Sequence, residues 1–426
     1  MKRNDFVHLK NSWIQKMQKN AKIPSPAIKR TAFMVLLFTL VIEVTGCSHT
    51  ASVHPPTPLP QMTQTAELER QWQLLLGRTT DAEAVDLRIA LDENRVYSAA
   101  TEGWLSAMWQ SPKDRWTDQV IWQKKLNELV TAGPVIHQQT LYFGTNKGSL
   151  YALDKVSGRL LWQKQLSSEV IAPPVIHQGR LFTRTVDGKL YALNAQTGAQ
   201  IWEVEHLLPN LSLRGAAPVT VTDDRLFIGW ESGEVEALSP ASGARLWTQR
   251  ILTPQGRTDL ERMVDLQAKL VLHQGRLIVL GYHGKLEALN PKTGLPYWVK
   301  NVSGYRSPLV NDQGIFLVTD QDIVQSYDLQ TGALRWQQKQ LRYRHLSELA
   351  FFNDQILIGD GYGTIERLDP IDGTLLGYFT HEKGTAIVGL MPAQEEQVLY
   401  VQDADGYITR YQINPTDFAT QKGHYE

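Results

Sequence analysis

The stretch K-G-S-L-Y-A-L-D-K-V-S-G-R-L-L-W at residues 147–162 decides the fold, because the chain keeps repeating it. Residues 187–202 read D-G-K-L-Y-A-L-N-A-Q-T-G-A-Q-I-W, and 283–298 read H-G-K-L-E-A-L-N-P-K-T-G-L-P-Y-W. Weaker copies stand at 232–247 and 321–336. Within a copy the apolar residues alternate at period two around a small turn, then a second short run ends in tryptophan. That is the pattern of β-hairpins. Pairs such as Asp187-Gly188 and Asp405-Gly406 supply the positive-φ residues of tight turns. Upstream of each copy lies another hairpin half, as in V-I-H-Q-G-R-L-F from Val175. One period therefore holds about four short strands, the content of a propeller blade.

The first turn glycine of each copy counts the blades: Gly103, Gly148, Gly188, Gly233, Gly284, Gly363 and Gly406, with Asp322 filling one slot. The spacings are 45, 40, 45, 51, 38, 41 and 43 residues, which makes eight units. The first is interrupted between Met108 and Val120, the seventh has Gly377 in the tryptophan slot, and the eighth stops near Ile413. An orphan segment, R-Q-W-Q-L-L-L at 70–76, carries the missing strand with Trp72. The fold expected is all-β: an eight-bladed propeller of four-stranded antiparallel blades over 66–414, closed by the N-terminal strand. Closure removes the open edges that invite aggregation. The periodic tryptophans are read as packing between blades, since a packing residue repeats and a binding site breaks symmetry.

Residues 1–46 have the form of a lipoprotein signal peptide. A basic stretch ending in Lys29-Arg30 precedes an apolar run from about Ala32 to Ile42. That run is too short for a bilayer span of ~20 residues and suits a signal h-region. Glu43 is unusual so near the junction, and a start at Met17 would leave an ordinary leader. Removing the eight Lys/Arg and two acids of 1–46 from totals of 43 and 44 leaves a formal charge of −7. No basic stripe is offered to nucleic acid. Residues 48–65, rich in Pro, Ser and Thr, read as a partly extended tether. The tail at 415–426 has no strand pattern.

The residues ending the apolar run, Val44-Thr45-Gly46-Cys47, resemble the lipobox of bacterial lipoproteins. The resemblance implies that Cys47, the single cysteine, is acylated on sulfur and on its freed amine. Ser48 in the next position implies sorting to the outer membrane, on its periplasmic face. Several acyl chains anchor stably where one does not.

The repeat itself resembles the pyrroloquinoline-quinone type, so an oxidoreductase is one reading. Quinoprotein dehydrogenases carry adjacent cysteines and bind calcium through acids and an asparagine. Here no second cysteine exists, and acids such as Asp154 and Asp369 lie at repeated turn positions. No cofactor, metal or catalytic residue is expected, and a periplasmic quinoprotein-like dehydrogenase stands as the alternative. His137, His177 and His273 occupy one slot of different blades, so they are read as solvated turn residues rather than converging metal ligands.

Symmetry breaks at two long connections, 206–218 and 250–267. Long loops on a rigid scaffold are where function concentrates. The first places Leu208, Leu211 and Leu213 beside Arg214, the composition of a protein-binding hot spot. Alternatively, these leucines plug the gap between blades 3 and 4. L-S-L-R-G at 211–215 and T-D-L-E-R-M-V-D at 258–265, with the lipobox and repeats, resemble the BamB family of the outer-membrane β-barrel assembly machinery. The likeness runs over nearly all of 47–413. It implies a scaffold that docks these loops onto a POTRA domain of the central assembly protein and assists outer-membrane protein folding, with unfolded precursors as a further partner. Carried over, it nominates Leu211, Leu213, Arg214 and Asp265, while Gln267 stands where the family has an acid.

Overall fold

The computed structural model describes residues 54–61, 68–75, 87–209, 211, 217–255, 257–258, 263–382, 384–393 and 397–414. Among them are 32 strands, β1–β32 in chain order, in eight antiparallel sheets of four. Blade 2 shows the plan: β6 (Val130–His137), β7 (Thr140–Thr145), β8 (Ser149–Asp154) and β9 (Leu160–Gln165), each hydrogen-bonded to the next. Blade 1 spans 90–125, blade 3 175–205, blade 4 220–250, blade 5 271–301, blade 6 309–338 and blade 7 349–380. Middle strands such as β7 and β8 are buried on both faces. The fourth strands alternate exposed and half-buried, as β9 does. Alternation is therefore weakest in the middle of a blade, where two neighbouring blades sandwich each sheet.

Blade 8 is composite. β30 (Ile387–Ala393), β31 (Val398–Asp403) and β32 (Tyr407–Gln412) are completed by β1 (Glu69–Leu75), the strand expected at 70–76. The register runs from Leu75 opposite Tyr407 to Glu69 opposite Gln412, with a bulge between Arg70 and Trp72. The ring is thus closed by pairing the two ends of the fold rather than by a covalent turn.

The tryptophans hold blade to blade. Trp162 Nε1 donates to Ala195 O of blade 3 at 3.1 Å, and Trp202, Trp247, Trp298 and Trp336 each repeat the bond one blade on. Each ring lies on the turn glycine of its neighbour. A Cβ on Gly198 would stand 2.7 Å from the Trp162 ring, and that glycine has φ +70°. The repeat's Thr-Gly and its tryptophan are therefore two halves of one contact between blades.

Blade 7 lacks its tryptophan for the same reason. Gly377 faces Arg367 where Trp162 faces Ala152. In blade 8 the third and fourth strands are opposite ends of the chain, so no Thr-Gly turn joins them for a ring to rest on. Trp72 instead donates to Gln110 O (2.9 Å) in the interrupted first blade.

In the Asp-Gly turns only the glycine is left-handed: Gly188 has φ +82° and Gly406 φ +89°, while their aspartates are not. Asp322 does adopt positive φ in its glycine slot (+55°). Its carboxylate accepts the backbone N–H groups of His345 and Leu346 (2.7 and 3.2 Å). The histidine reading is corrected at two positions. His177 and His273 are not free in solvent but clasp the next blade, each ring nitrogen about 3 Å from Asp223 or Asp312. Gln178 and Gln274 donate to the same carboxylates. The aspartates sit in the first turns of blades 4 and 6, so the clasp depends on a residue one blade away.

Candidate docking surface

Both long connections leave the ring at adjacent junctions, 3/4 and 4/5. Strand β13 (Gln200–Glu205) ends blade 3, and the chain turns at His206, whose N–H donates to Gly188 O (2.9 Å). The imidazole stacks on Trp230 with centroids 4.5 Å apart and planes 5° from parallel, and Nε2 lies 2.9 Å from Ser232 Oγ. Trp230 is fully buried and donates to Glu236 (2.9 Å). The Arg184 guanidinium lies 4.8 Å from the same ring. It donates to Glu231 at 2.7 and 2.8 Å and to Gly229 O at 3.0 Å. With side chains 1% and 6% exposed, this pair is tolerated because the charges and geometry match. The result is a stiff base beneath the start of the loop.

Desolvation pushes the His206 imidazole below its ordinary value, although Glu236 and Glu234 pull the other way. It is therefore neutral at pH 7.

The leucines of the first loop divide between the two roles. Leu208 packs with Phe182, Leu190 and Ile228 between blades 3 and 4. Leu207 is 88% exposed and Leu211 43%. Leu213 and Arg214 lie outside the described residues. Next to Leu207 opens a groove of about 690 Å³ between the end of blade 3 and blade 4, lined also by Val204, Glu205, Arg245 and Arg250. Arg250 pairs with Glu234 (2.7 Å) and Arg245 with Glu236 (3.3 Å), so the rim is charged and its floor part apolar. Leu207 was missed in the sequence because the Leu-Leu-Pro run does not reveal which leucine turns inward.

The second connection is anchored at both ends. Ile251 and Leu252 are buried, as are Met263, Val264 and Leu266, and four of these pack into one cluster with Phe227 and Leu277. Between them Thr253, Pro254, Gln255, Arg257 and Thr258 are exposed. Asp265 is 1% exposed and makes an antiparallel bridge to Tyr282, whose N–H donates to Asp265 O (2.9 Å). His283 Nδ1 lies 3.0 Å from Met263 O. Asp265 thus ties the arch to blade 5, and Gln267 is half-buried beside it. Cys47 lies outside the described residues.

One further polar chain looks like chemistry but is sealed. His381 bridges Tyr411 (2.7 Å) and Asp403 (3.1 Å), with His381 and Asp403 side chains 0% exposed. Burial pushes the Tyr411 hydroxyl up to about 12. These groups pack the 7/8 junction.

Fold and loops define the class: a quinoprotein-type propeller whose symmetry breaks at two neighbouring junctions, offering a loop surface on a rigid ring. The sequence model of the family described as outer membrane protein assembly factor BamB matches residues 111–338 and 320–417, and the chain belongs to that family. An outer membrane protein assembly factor BamB of Marinobacter adhaerens is 39% identical over 393 residues, covering 92% of this chain and 98% of that protein. The crystal structure of BamB from Moraxella catarrhalis covers 81% of this chain and all of that one, with TM-score 0.71 and 25% identity. A quinohemoprotein alcohol dehydrogenase from Comamonas testosteroni has TM-score 0.61 at 13% identity, covering 82% of this chain and 77% of its own, a likeness of fold alone.

Proposed function

We propose that this chain is a non-enzymatic scaffold of the outer-membrane β-barrel assembly machinery, docking onto a POTRA domain through the loops at the 3/4 and 4/5 junctions. The observation that carries the docking reading is the division of the first loop. Leu208 is spent on the ring, while Leu207 faces outward beside a charged-rimmed groove on a stiff base and Leu211 is exposed further along the loop. Apolar side chains exposed next to arginine and backed by rigid structure are what a partner can desolvate with little ordering cost. Leu211, Leu213 and Arg214 act as contact residues, with Leu207 added. Asp265 and Gln267 position the second arch. Family membership supports the assembly role, and Cys47 supplies the anchor to the periplasmic face of the outer membrane. Precursors of outer-membrane proteins are a second partner of the same scaffold.

The test is a pull-down of the POTRA region with Leu213→Ala and Arg214→Ala, with thermal melts on the same preparations. Weakened binding with unchanged melting supports docking; unchanged binding by both variants sinks it. Membrane fractionation of Cys47→Ser tests the anchor separately.

A further inference from the structure

Residues 56–61, P-T-P-L-P-Q, belong to the stretch that composition reads as a loose tether, yet they lie across the 6/7 junction. Thr57 N–H donates to Arg342 O at 3.0 Å, and Arg344 Nη1 donates to Thr57 O at 3.0 Å. Tyr378 Oη donates to Pro60 O at 3.4 Å. Arg344 is itself fixed, its Nε donating to the buried Asp360 at 2.8 Å. Leu59 packs on the cluster that contains Phe316, Trp336, Leu346 and Leu375. Pro56, Thr57, Leu59 and Pro60 are half-buried, whereas Pro58 and Gln61 are exposed.

The ring carries the imprint of this segment. Leu160, Leu334 and Leu375 hold the same register position in the outer strands of blades 2, 6 and 7. Leu160 and Leu334 are 47% and 49% exposed, but Leu375 is 6%. Of the seven periodic tryptophans, Trp336 is buried and the other six are half-buried.

We propose that residues 56–61 are a strap, the chain's own proline-rich segment bound in a built peptide groove, and that it fixes where the N-terminal end leaves the ring. Prolines pre-set an extended backbone, so little conformational entropy is lost on docking. Backbone bonds at Thr57 set the register, and Leu59 supplies the apolar anchor. Arg342 and Arg344 lie in the 6-to-7 connection, which joins an outermost strand to the next innermost strand as 206–218 and 250–267 do. All three therefore sit at the same end of the ring, so the chain departs from the docking end. Its exit is two and three blade steps from the long loops. Where Cys47 is the anchor, as proposed above, the strap leaves nine peptide steps to Pro56, a reach of roughly 30 Å at full extension. A tether free as far as Glu69 would span roughly 75 Å. The strap thus shortens the distance at which the propeller can stand from the anchor.

Hydrogen exchange by NMR on the full soluble Cys47→Ser chain tests the strap without reference to lipid. Prolines leave amides only at Thr57, Leu59 and Gln61. The Thr57 amide is expected to exchange at least about tenfold more slowly than coil. Leu59→Asp should return it to coil rates while blade amides keep their protection, and Thr57→Pro should bring the Leu59 amide to coil rates. Coil-rate exchange of Thr57 in the parent, or unchanged protection in Leu59→Asp, overturns the strap. A protected Thr57 in a chain that fractionates with membranes despite Cys47→Ser removes the anchor reading and leaves the strap standing.

Discussion

The 3/4 and 6/7 junctions are built from the same repeat and end in opposite states. Each has a tryptophan on the neighbouring turn glycine and a buried arginine paired with an acid: Arg184 with Glu231, and Arg344 with Asp360. At 3/4 the chain adds a loop that turns Leu207 and Leu211 outward. At 6/7 the N-terminal strap covers the flank and buries Leu375 and Trp336. One framework therefore serves as an open surface or a closed seam, depending on which extra segment lies over it. The repeats supply rigidity, and departures from the repeat supply function.

Breaking each framework should produce the largest effects. Trp336→Ala removes the buried ring at 6/7 and should cost ~3–5 kcal/mol of stability. Trp202→Ala, with a ring only half-buried, should cost less. Denaturant unfolding of both variants ranks the two seams, and equal losses would mean that strap coverage contributes nothing. Arg184→Ala leaves Glu231 buried without its cation, and ~3–5 kcal/mol is expected for that as well.

Next in size is the division among the leucines. Leu208→Ala should lower the melting temperature while leaving the loop tip unchanged. Leu213→Ala and Arg214→Ala should weaken POTRA binding by about 2 kcal/mol each, roughly thirtyfold, at unchanged melting temperature. Added salt should weaken the parent more than Arg214→Ala. Isothermal titration alongside melts reads both quantities.

A smaller effect sharpens the open junction by pH. The folded pKa of His206 lies below its unfolded value, so the unfolded chain takes up a proton first as pH falls. Its contribution is intact above about pH 6.5 and is lost as the pH drops from there through the folded value. Protection of the 206–208 amides should fall between pH 7 and 5. His206→Phe keeps the stack on Trp230 and should flatten that dependence; an unaltered profile would assign it to the neighbouring glutamates.

Smallest of all, Thr57→Pro and Leu59→Asp should shift ring stability by no more than about 1 kcal/mol, because the strap lies on a seam already closed by Trp336. A loss as large as that of Trp336→Ala would make the strap part of the fold itself.

The sequence by itself determined the repeat, the count of eight and the closing strand. Each rests on local chemistry: period-two alternation, glycine where φ must be positive, and a tryptophan at fixed distance. Even the missing tryptophan at Gly377 was visible, though its cause was not, since that lies in a turn which blade 8 lacks. The two irregular loops were legible from length and composition. Only the tertiary structure decided which leucine turns inward, because adjacent Leu207 and Leu208 are alike in composition and only Leu208 meets Phe182, Leu190 and Ile228. It alone put Asp265 beneath the arch, through a bridge to Tyr282 that no local pattern encodes. It also turned a proline-rich stretch into a strap. Composition reports whether a segment can form a core of its own; whether it meets a groove depends on Arg342, Arg344 and Tyr378, nearly three hundred residues or more along the chain and brought near only by closure of the ring.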